Sequence, residues 1–532
     1  VRIVSLGHAG LMIEVRGKTL LCDPWLSETG AFDAAWMQYP CNHHLAEVVL
    51  SRPVDFVYVS HEHADHFDEA FLARLPKSAT ILAAAFLSHS WRERLKALGF
   101  AKVRFLKDFE RVEIAPGLEA VIVHAPSHTV FDSAFILKDV EADQVLVNLN
   151  DCKLNPRQIA RIKEEFGKVD AAFGQFSGAS WFPMVYDLPE VDRIEAAQRK
   201  VQHGLARWAR YVRALDPTWA SPNSGPPTIL DPAIARYRDS ADSIFPDAGA
   251  LMLWLEKEDP ALHRRTRPLL PGDALDLDRN EIELDAGMHK AFDWYDAAAY
   301  LDAYAERARP VIEQALAHYP EPAAPLFPAF KAHFEECIRV APNMAKAAPE
   351  RVLFEIEGPF GGSWLVNFAK GEVSDLSDDP GKREDLADYA FAIASHYIPA
   401  LVDGSLRWED FFLSFRFRAW RPSIGAYNEG LMAFLRFAQP RELLVQENLT
   451  NTRPVDNGER FRLETPDGAY KVQLYCPHMG QELAPEDYDP ATGILTCPRH
   501  GWSFRIPGGA CLNAVSERLN VEPVAKETAG AE

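Results

Sequence analysis

The sequence predicts three successive units: an α/β unit, a smaller α+β unit and an all-β unit. Three observations predict this. In the first part of the chain, strands interleave with helical stretches, and metal-ligand residue types stand at strand ends, where open α/β sheets place their sites. Near Glu350, two runs with period-two alternation face each other across a glycine-rich turn, and a helical stretch follows. From about Gln439 only short strands and turns remain, around two loops that carry Cys and His. At 532 residues the chain has room for roughly three domains of about 150 residues each.

The first unit opens as a β-meander. Arg2–Leu6 and Leu11–Val15 run apolar or alternate, Arg16-Gly17-Lys18 is a turn, and Thr19–Cys22 returns toward Asp23-Pro24-Trp25. The buried strand Phe56–Val59 feeds directly into His61-Glu62-His63-Ala64-Asp65-His66. Ser127-His128-Thr129 precedes a strand at Ser133–Leu137, and Asn150-Asp151 ends another. Ile159–Glu165 and Val191–Leu215 read as helices. From Pro232 to about Ala345 the chain is helix-rich and Pro-punctuated, with a connector from Pro320 to Pro328. In the second unit Val352, Phe354 and Ile356 alternate, as do Trp364, Val366 and Phe368, giving two strands across the turn Gly358–Gly362. A helix is then expected with Leu386, Tyr389, Ile393 and Tyr397 on one face, stopped by Asp403-Gly404, and a closing helix near Glu429–Phe437. The expected boundaries are 1–345, 346–438 and 439–532.

Composition narrows the function classes. The chain is 47% apolar and 25% charged, as in ordinary soluble proteins. A net charge of −21 argues against nucleic acid and anionic membranes, while an anionic small substrate needs only a local basic pocket. No secretory pattern and no bilayer-spanning apolar run stands out. The seven cysteines are scattered and odd in number, which fits a reducing cytoplasm.

Two motifs carry chemistry. Cys476-Pro477-His478 and Cys497-Pro498-Arg499-His500 read C-x-H…C-x-x-H. Two thiolates and two neutral imidazoles in two short loops are what a Rieske [2Fe–2S] centre needs, with Cys on one iron and His on the other. Zinc also takes such a set, but zinc fingers pair like with like around a helix. Gly480 and Gly501 permit tight loops whose N–H groups point at the sulfides, and Pro507-Gly508-Gly509 reads as a third loop over the cluster. The segment resembles the Rieske domain of oxygenases and their ferredoxins. The resemblance implies Cys476, His478, Cys497 and His500 as cluster ligands. The extra loop cysteines of respiratory Rieske proteins are missing, and Trp502 stands where that class has Ser. Fewer hydrogen bonds to the sulfurs favour a lower potential.

His61-x-His63-x-Asp65-His66 packs four ligand types into six residues after a strand. With His128 and Asp151 it resembles the metallo-β-lactamase superfamily over roughly residues 1–230, and Gly7-His8-Ala9…Asp23-Pro24-Trp25 points to the branch with sugar-phosphate lactonases. The resemblance implies an αββα sandwich. It assigns His61, His63 and His128 to one metal, Asp65 and His66 to a second, and Asp151 as bridge, with His8 close by. The family's late histidine near Pro222 is absent, and Ser224 is the nearest match. An open His/carboxylate site suits an O₂-binding iron. His43, His44, His124 and His203 read as packed or surface residues.

The middle unit resembles the sterol-carrier-like fold, on its paired strands, Leu401-Val402-Asp403-Gly404, Trp408-Glu409-Asp410 and the closing helix. The whole resembles the CMP-N-acetylneuraminate hydroxylase family, whose animal members place the Rieske domain first, not last. The expected function is an O₂-dependent monooxygenase of a polar small metabolite. It would use a [2Fe–2S] cluster, one or two non-heme irons, and an external ferredoxin or reductase, with Asp65, Asp151 and His8 in the chemistry. In Rieske oxygenases the gap between centres is closed across subunits, which makes a homo-oligomer a reasonable expectation. The rival readings are a zinc hydrolase with a redox-sensing Rieske domain, and a non-catalytic electron-transfer protein.

Overall fold

The computed structural model describes residues 1–86, 88–127, 131–378, 381–452, 456–478, 480–499, 501–515 and 517–524. His128 and His500 lie outside the described residues.

The first unit is built on two facing sheets. β1 (Arg2–Gly7), β2 (Gly10–Val15), β3 (Lys18–Cys22), β4 (Phe56–Val59), β5 (Thr80–Ala84) and β6 (Lys102–Leu106) follow one another across the first. β7 (Glu110–Ala115), β8 (Leu118–His124), β9 (Ser133–Asp139), β10 (Gln144–Asn148), β11 (Ala171–Gln175) and β12 (Trp219–Asn223) do the same across the second. β1 to β3 pair antiparallel through tight turns; β3 to β6 pair parallel. Parallel neighbours need crossovers. Helices Leu45–Leu50, Glu69–Arg74 and His89–Ala97 supply them here, and Pro156–Phe166 and Glu190–Leu215 supply them in the second sheet. Ile3, Leu20, Tyr58 and Leu82 meet Leu118, Ile122, Phe135 and Phe173 between the sheets. On the outer face Val121 and Val147 meet Ile159, Ile162 and Phe166 of a helix. Each such side chain contributes about 1.5–3 kcal/mol when fully buried. The result is the expected αββα sandwich. Two short strands inside the helix-rich stretch, β13 (Ala274–Asp276) and β14 (Glu281–Glu283), extend the first sheet beyond β1. At three residues each they are too short for alternation to show.

The middle unit is a five-stranded sheet. Its strands are β15 (Arg351–Glu357), β16 (Gly362–Asn367), β17 (Glu372–Asp375), β18 (Tyr389–Ala394) and β19 (Phe417–Trp420), in the order β17-β16-β15-β18-β19. Phe354 pairs with Trp364, as the alternation predicts. The expected helix through Tyr389 and Ile393 is instead β18, paired parallel to β15. The run Tyr-Ala-Phe-Ala-Ile is buried on both faces, and such a run looks alike in a helix and in a central strand. Asp403-Gly404 does stop a helix, Ile398–Asp403, with Gly404 at φ +83°. The last unit is not strands alone: it is preceded by a helix, Pro440–Thr452. Leu443 of that helix joins Phe330, Phe334 and Cys337 of helix Phe327–Val340 in the core beneath Phe354 and Phe391.

The first and middle units share this core, which also holds Trp25, Trp36, Tyr186 and Ile229. Trp36 stacks on Phe415 at 5.9 Å, and Ala419 exchanges backbone hydrogen bonds with Val185 and Asp187. The final unit has two small sheets. One joins Arg460–Thr465, Gly468–Gln473 and Val521–Pro523; the other joins Tyr488–Asp489, Ile494–Thr496, Ser503–Arg505 and Ala510–Cys511. Its own core is Phe461, Leu463, Leu495 and Phe504 with both loop cysteines. Among the described residues, no helix is long and apolar enough to cross a membrane.

Candidate metal centre

The loop leaving β4 turns His61, Asp65 and His66 into the protein. They are 4%, 4% and 0% exposed, a burial these residue types tolerate only with partners. Asp23, at the end of β3, organises them. Its carboxylate accepts from Ser60 N (2.8 Å), Ser60 Oγ (2.6 Å) and His66 Nδ1 (2.9 Å). That leaves His66 Nε2 pointing away, 3.5 Å from Asp151 Oδ1 and 3.7 Å from Asp65 Oδ2. His61 Nδ1 lies against Ser60 Oγ (2.9 Å), and its Nε2 faces His63 Nδ1 at 2.8 Å. His8, in the β1–β2 turn, places Nε2 3.0 Å from Asp65 Oδ2.

Among the described residues, two groups of three thus offer ligand atoms within 4.8 Å of one another: His8, Asp65 and His66; and His61, His66 and Asp151. Burial, reinforced by His66 and His63, holds the His61 imidazole well below its usual range, in the neutral form that binds metals. Burial opposes charge on His66, but Asp65 and Asp151 overcome it and raise the imidazole well above its usual range. Burial lifts Asp132, near His61, to about 6 and pulls Lys153, near Asp151, down to about 8. Among the described residues, His8 Nδ1, Asp65 Oδ1, His66 Nε2 and Asp151 Oδ1 are buried without a hydrogen-bond partner. Orphaned buried donors and acceptors are costly. A mixed imidazole and carboxylate set with such atoms converging fits a divalent transition-metal ion.

The two C-terminal loops repeat one geometry. Cys476 N–H donates to Gln481 O (2.8 Å) and Gly480 N–H to Cys476 O (3.0 Å); Cys497 N–H donates to Trp502 O (2.7 Å) and Gly501 N–H to Cys497 O (3.0 Å). The Gly480 and Gly501 N–H groups therefore close the loops instead of pointing at sulfides. Their φ values, +61° and +74°, are why glycine stands there. Both thiols are fully buried. Burial and the facing Cys497 push Cys476 far up as a thiol, a state that iron would relieve. Trp502 stacks on His478 at 4.2 Å, nearly parallel.

These loops sit against the first unit. His203 Nε2 donates to Pro498 O (3.2 Å), Arg207 to Arg499 O (3.1 Å), and Glu482 accepts from Asn155 (2.9 Å) and Arg157 (2.7 Å). A line of charges through the middle unit then joins the two centres. His478 Nε2 stands 3.3 Å from Glu429, which also accepts from Tyr427 Oη at 2.6 Å. Burial works against the Glu429 charge, but His478 and Arg436 hold its carboxyl below the usual range. Arg436 Nε is 3.1 Å from Glu409 Oε1, and Glu409 is 3.6 Å from His63 Nε2. Burial opposes the Glu409 charge too, yet Arg436 and His63 bring it down to about 2.

Comparison with known proteins agrees with this architecture. Family models match as a beta-lactamase superfamily domain at residues 2–159, an Rv3818-like, SCP2-like domain at 326–451, and a Rieske [2Fe-2S] domain at 451–521. Rv3818 of Mycobacterium tuberculosis, named as a Rieske 2Fe-2S iron-sulfur protein, is 30% identical over 97% of this chain and 99% of its own. The chain belongs to the Rv3818 family of Rieske iron-sulfur proteins. A UPF0173 metal-dependent hydrolase of Caldivirga maquilingensis is 35% identical over 15% of the chain and 29% of its own. CmlA, a diiron β-hydroxylase from Streptomyces venezuelae, is 16% identical with a TM-score of 0.35, covering 51% of this chain and 53% of that one.

In this Rv3818-family chain the structure brings together His8, His61, His63, Asp65, His66 and Asp151. His63 stands outside both groups of three, between His61 and Glu409. Ser224 does not join them: its Oγ lies 3.4 Å from Asn223 Oδ1. His43 and His124 are packed against Gln38 and Leu106, as expected. His203 is not merely packed, since it touches the cluster loop. Asp23, Glu409, Glu429 and Arg436 were not singled out as site residues. Each is a lone charge whose partner lies far away in sequence, and Asp23 alone had a signal, in Asp23-Pro24-Trp25.

Proposed function

We propose that this protein is a Rieske-coupled non-heme iron monooxygenase acting on a polar small metabolite. Cys476, His478, Cys497 and His500 would hold the cluster; His61, His63, Asp65, His66, His128 and Asp151 would hold the iron. The observation that carries the reading is the half-buried line His478–Glu429–Arg436–Glu409–His63, which runs from the cluster loop through the middle unit to the loop of the metal centre. When loaded, the cluster supplies single electrons and the iron supplies O₂ activation. The chain's own residues do the rest. Asp23 fixes the tautomer and orientation of His66, Ser60 those of His61, and Glu409 braces His63 from the middle unit. Phe32, 6.3 Å from His63, gives the centre an apolar neighbour. The residues of the line all belong to one chain.

The test is metal analysis joined to O₂ uptake. Protein purified under low oxygen is expected to hold more than two irons and negligible zinc. After reduction it should consume O₂, and Asp151→Ala should abolish that uptake while the Rieske spectrum persists. In Glu409→Gln both metal contents should survive, with O₂-driven reoxidation of the cluster slowed at least tenfold. Two irons plus zinc, with no Asp151-dependent uptake, would overturn the proposal. That result would favour the second reading, a zinc hydrolase with a redox sensor, which the likeness of 78 residues to the Caldivirga maquilingensis hydrolase supports.

A further inference from the structure

His8 sits where a histidine is costly. It occupies the two-residue turn between β1 and β2 with φ +49°, a left-handed conformation uncommon outside glycine, although histidine, like asparagine and aspartate, enters it more readily than most. Its imidazole is 2% exposed, so it has given up water as well. Its recorded contacts are one carboxylate, Asp65, and the edges of two rings: Trp25 at 4.9 Å and His66 at 5.6 Å. Among the described residues, neither its Nδ1 nor Asp65 Oδ1 has a partner, though both are buried.

The geometry around His8 is that of a donor set. Donors bound at about 2.0–2.2 Å to a shared ion stand roughly 3–3.5 Å apart. His8 to Asp65 is 3.0 Å, Asp65 to His66 is 3.7 Å, and His66 to Asp151 is 3.5 Å. The group His8, Asp65, His66 and the group His61, His66, Asp151 overlap at His66, whose one free nitrogen, Nε2, can serve a single ion; counted with His8 and Asp65, it leaves His61 and Asp151 for a neighbouring position. The metallo-β-lactamase resemblance expects a late histidine after β12, where Ser224 stands. Ser224 turns its hydroxyl to Asn223, but its N–H donates to His8 O at 3.0 Å. The segment that lacks the histidine thus anchors the turn that presents another one.

We propose that His8 is a direct ligand of a second metal position, taking the place of the missing late histidine, with Asp65 and His66 as its companions. This rests on the reading that the N-terminal cluster holds metal.

The experiment counts ions. Holoprotein with its cluster intact is loaded anaerobically with Fe²⁺. Iron beyond the two cluster irons is then counted by mass spectrometry and titrated against a chelator. Wild type is expected to bind two extra ions and His8→Ala one, while Ser224→Ala still binds two. His8→Asp, which restores a donor, should regain the second ion at least tenfold more weakly than wild type. Far-UV dichroism and the cluster spectrum check folding; should His8→Ala not fold, the count in His8→Gln, which keeps volume and polarity, decides. Two ions at unchanged affinity in the folded His8 variants would reduce His8 to a positioning residue for Asp65. One ion in wild type would remove the second position but leave the metal centre. No ion beyond the cluster would remove the metal reading itself.

Discussion

At the scale of single residues, the centre depends on carboxylates that need never touch metal. Asp23 is 0% exposed and its three hydrogen bonds tie the end of β3 to Ser60 and His66. Without it His66 is free to exchange tautomers and to rotate, and Ser60 loses the partner that orients it toward His61. Removing such an outer partner typically costs about 10–100-fold in metal affinity. Asp23→Ala is therefore expected to weaken Fe²⁺ binding by that factor, read by chelator competition, while Asp23→Asn should lose less because its amide oxygen still accepts from His66. Equal affinity in wild type and Asp23→Ala would show that His66 is held by packing alone. The ligands themselves were legible because His61, His63, Asp65 and His66 fall within six residues after a strand. Glu409 and Glu429 were not. Nothing in Trp408-Glu409-Asp410 tells a bridging carboxylate from a solvated helix turn, because its partners His63 and Arg436 arrive only with the fold.

At the scale of elements, period-two alternation was read correctly wherever a strand has one polar face, as in β15 and β16, and failed where both faces are buried, as in β18. The loops of the cluster unit show the opposite case, where local chemistry is decisive. Gly509 has φ +72°, and a Cβ there would lie 2.0 Å from Leu519 O, the carbonyl whose own N–H donates back to Gly509 O at 2.8 Å. Backbone cannot yield as a flexible side chain can. Gly509→Ala is expected to destabilise the cluster unit by about 1–3 kcal/mol. The loss should appear as an earlier thermal bleaching of the visible absorbance, with the metal content of the first unit unchanged. Bleaching at the wild-type temperature would show that this third loop is free to reshape and does not clamp the cluster.

At the scale of the whole molecule, apolar packing divides the chain differently from its three family matches. The first and middle units share one continuous core, in which Trp25, Trp36, Tyr186 and Ile229 meet Phe354, Phe391, Phe415 and Phe417. The buried pair Arg416–Asp231 (3.0 Å) crosses the same boundary. The cluster unit has a separate core, and what joins it to the rest is mainly polar: Glu482 with Asn155 and Arg157, His203 and Arg207 with loop carbonyls, and Glu429 with His478. Shared apolar surface couples unfolding strongly, whereas polar contacts at a boundary contribute little each. Calorimetry is therefore expected to show two transitions, not three: one for the first and middle units together and one for the cluster unit. Removing the cluster iron should lower only the second, since a ligand stabilises only the unit that binds it. Chelating the N-terminal metal should lower only the first. Glu482→Gln should leave both midpoints within about 2 °C while lowering the salt sensitivity of the contact between units, because it removes an ion pair that salt screens and a single rim charge is worth about 1 kcal/mol or less. Three separate transitions would mean that the sheet of the middle unit stands without Trp36 and Tyr186. A single transition that shifts with either metal would mean that the charged line from His478 to His63 also couples the units mechanically.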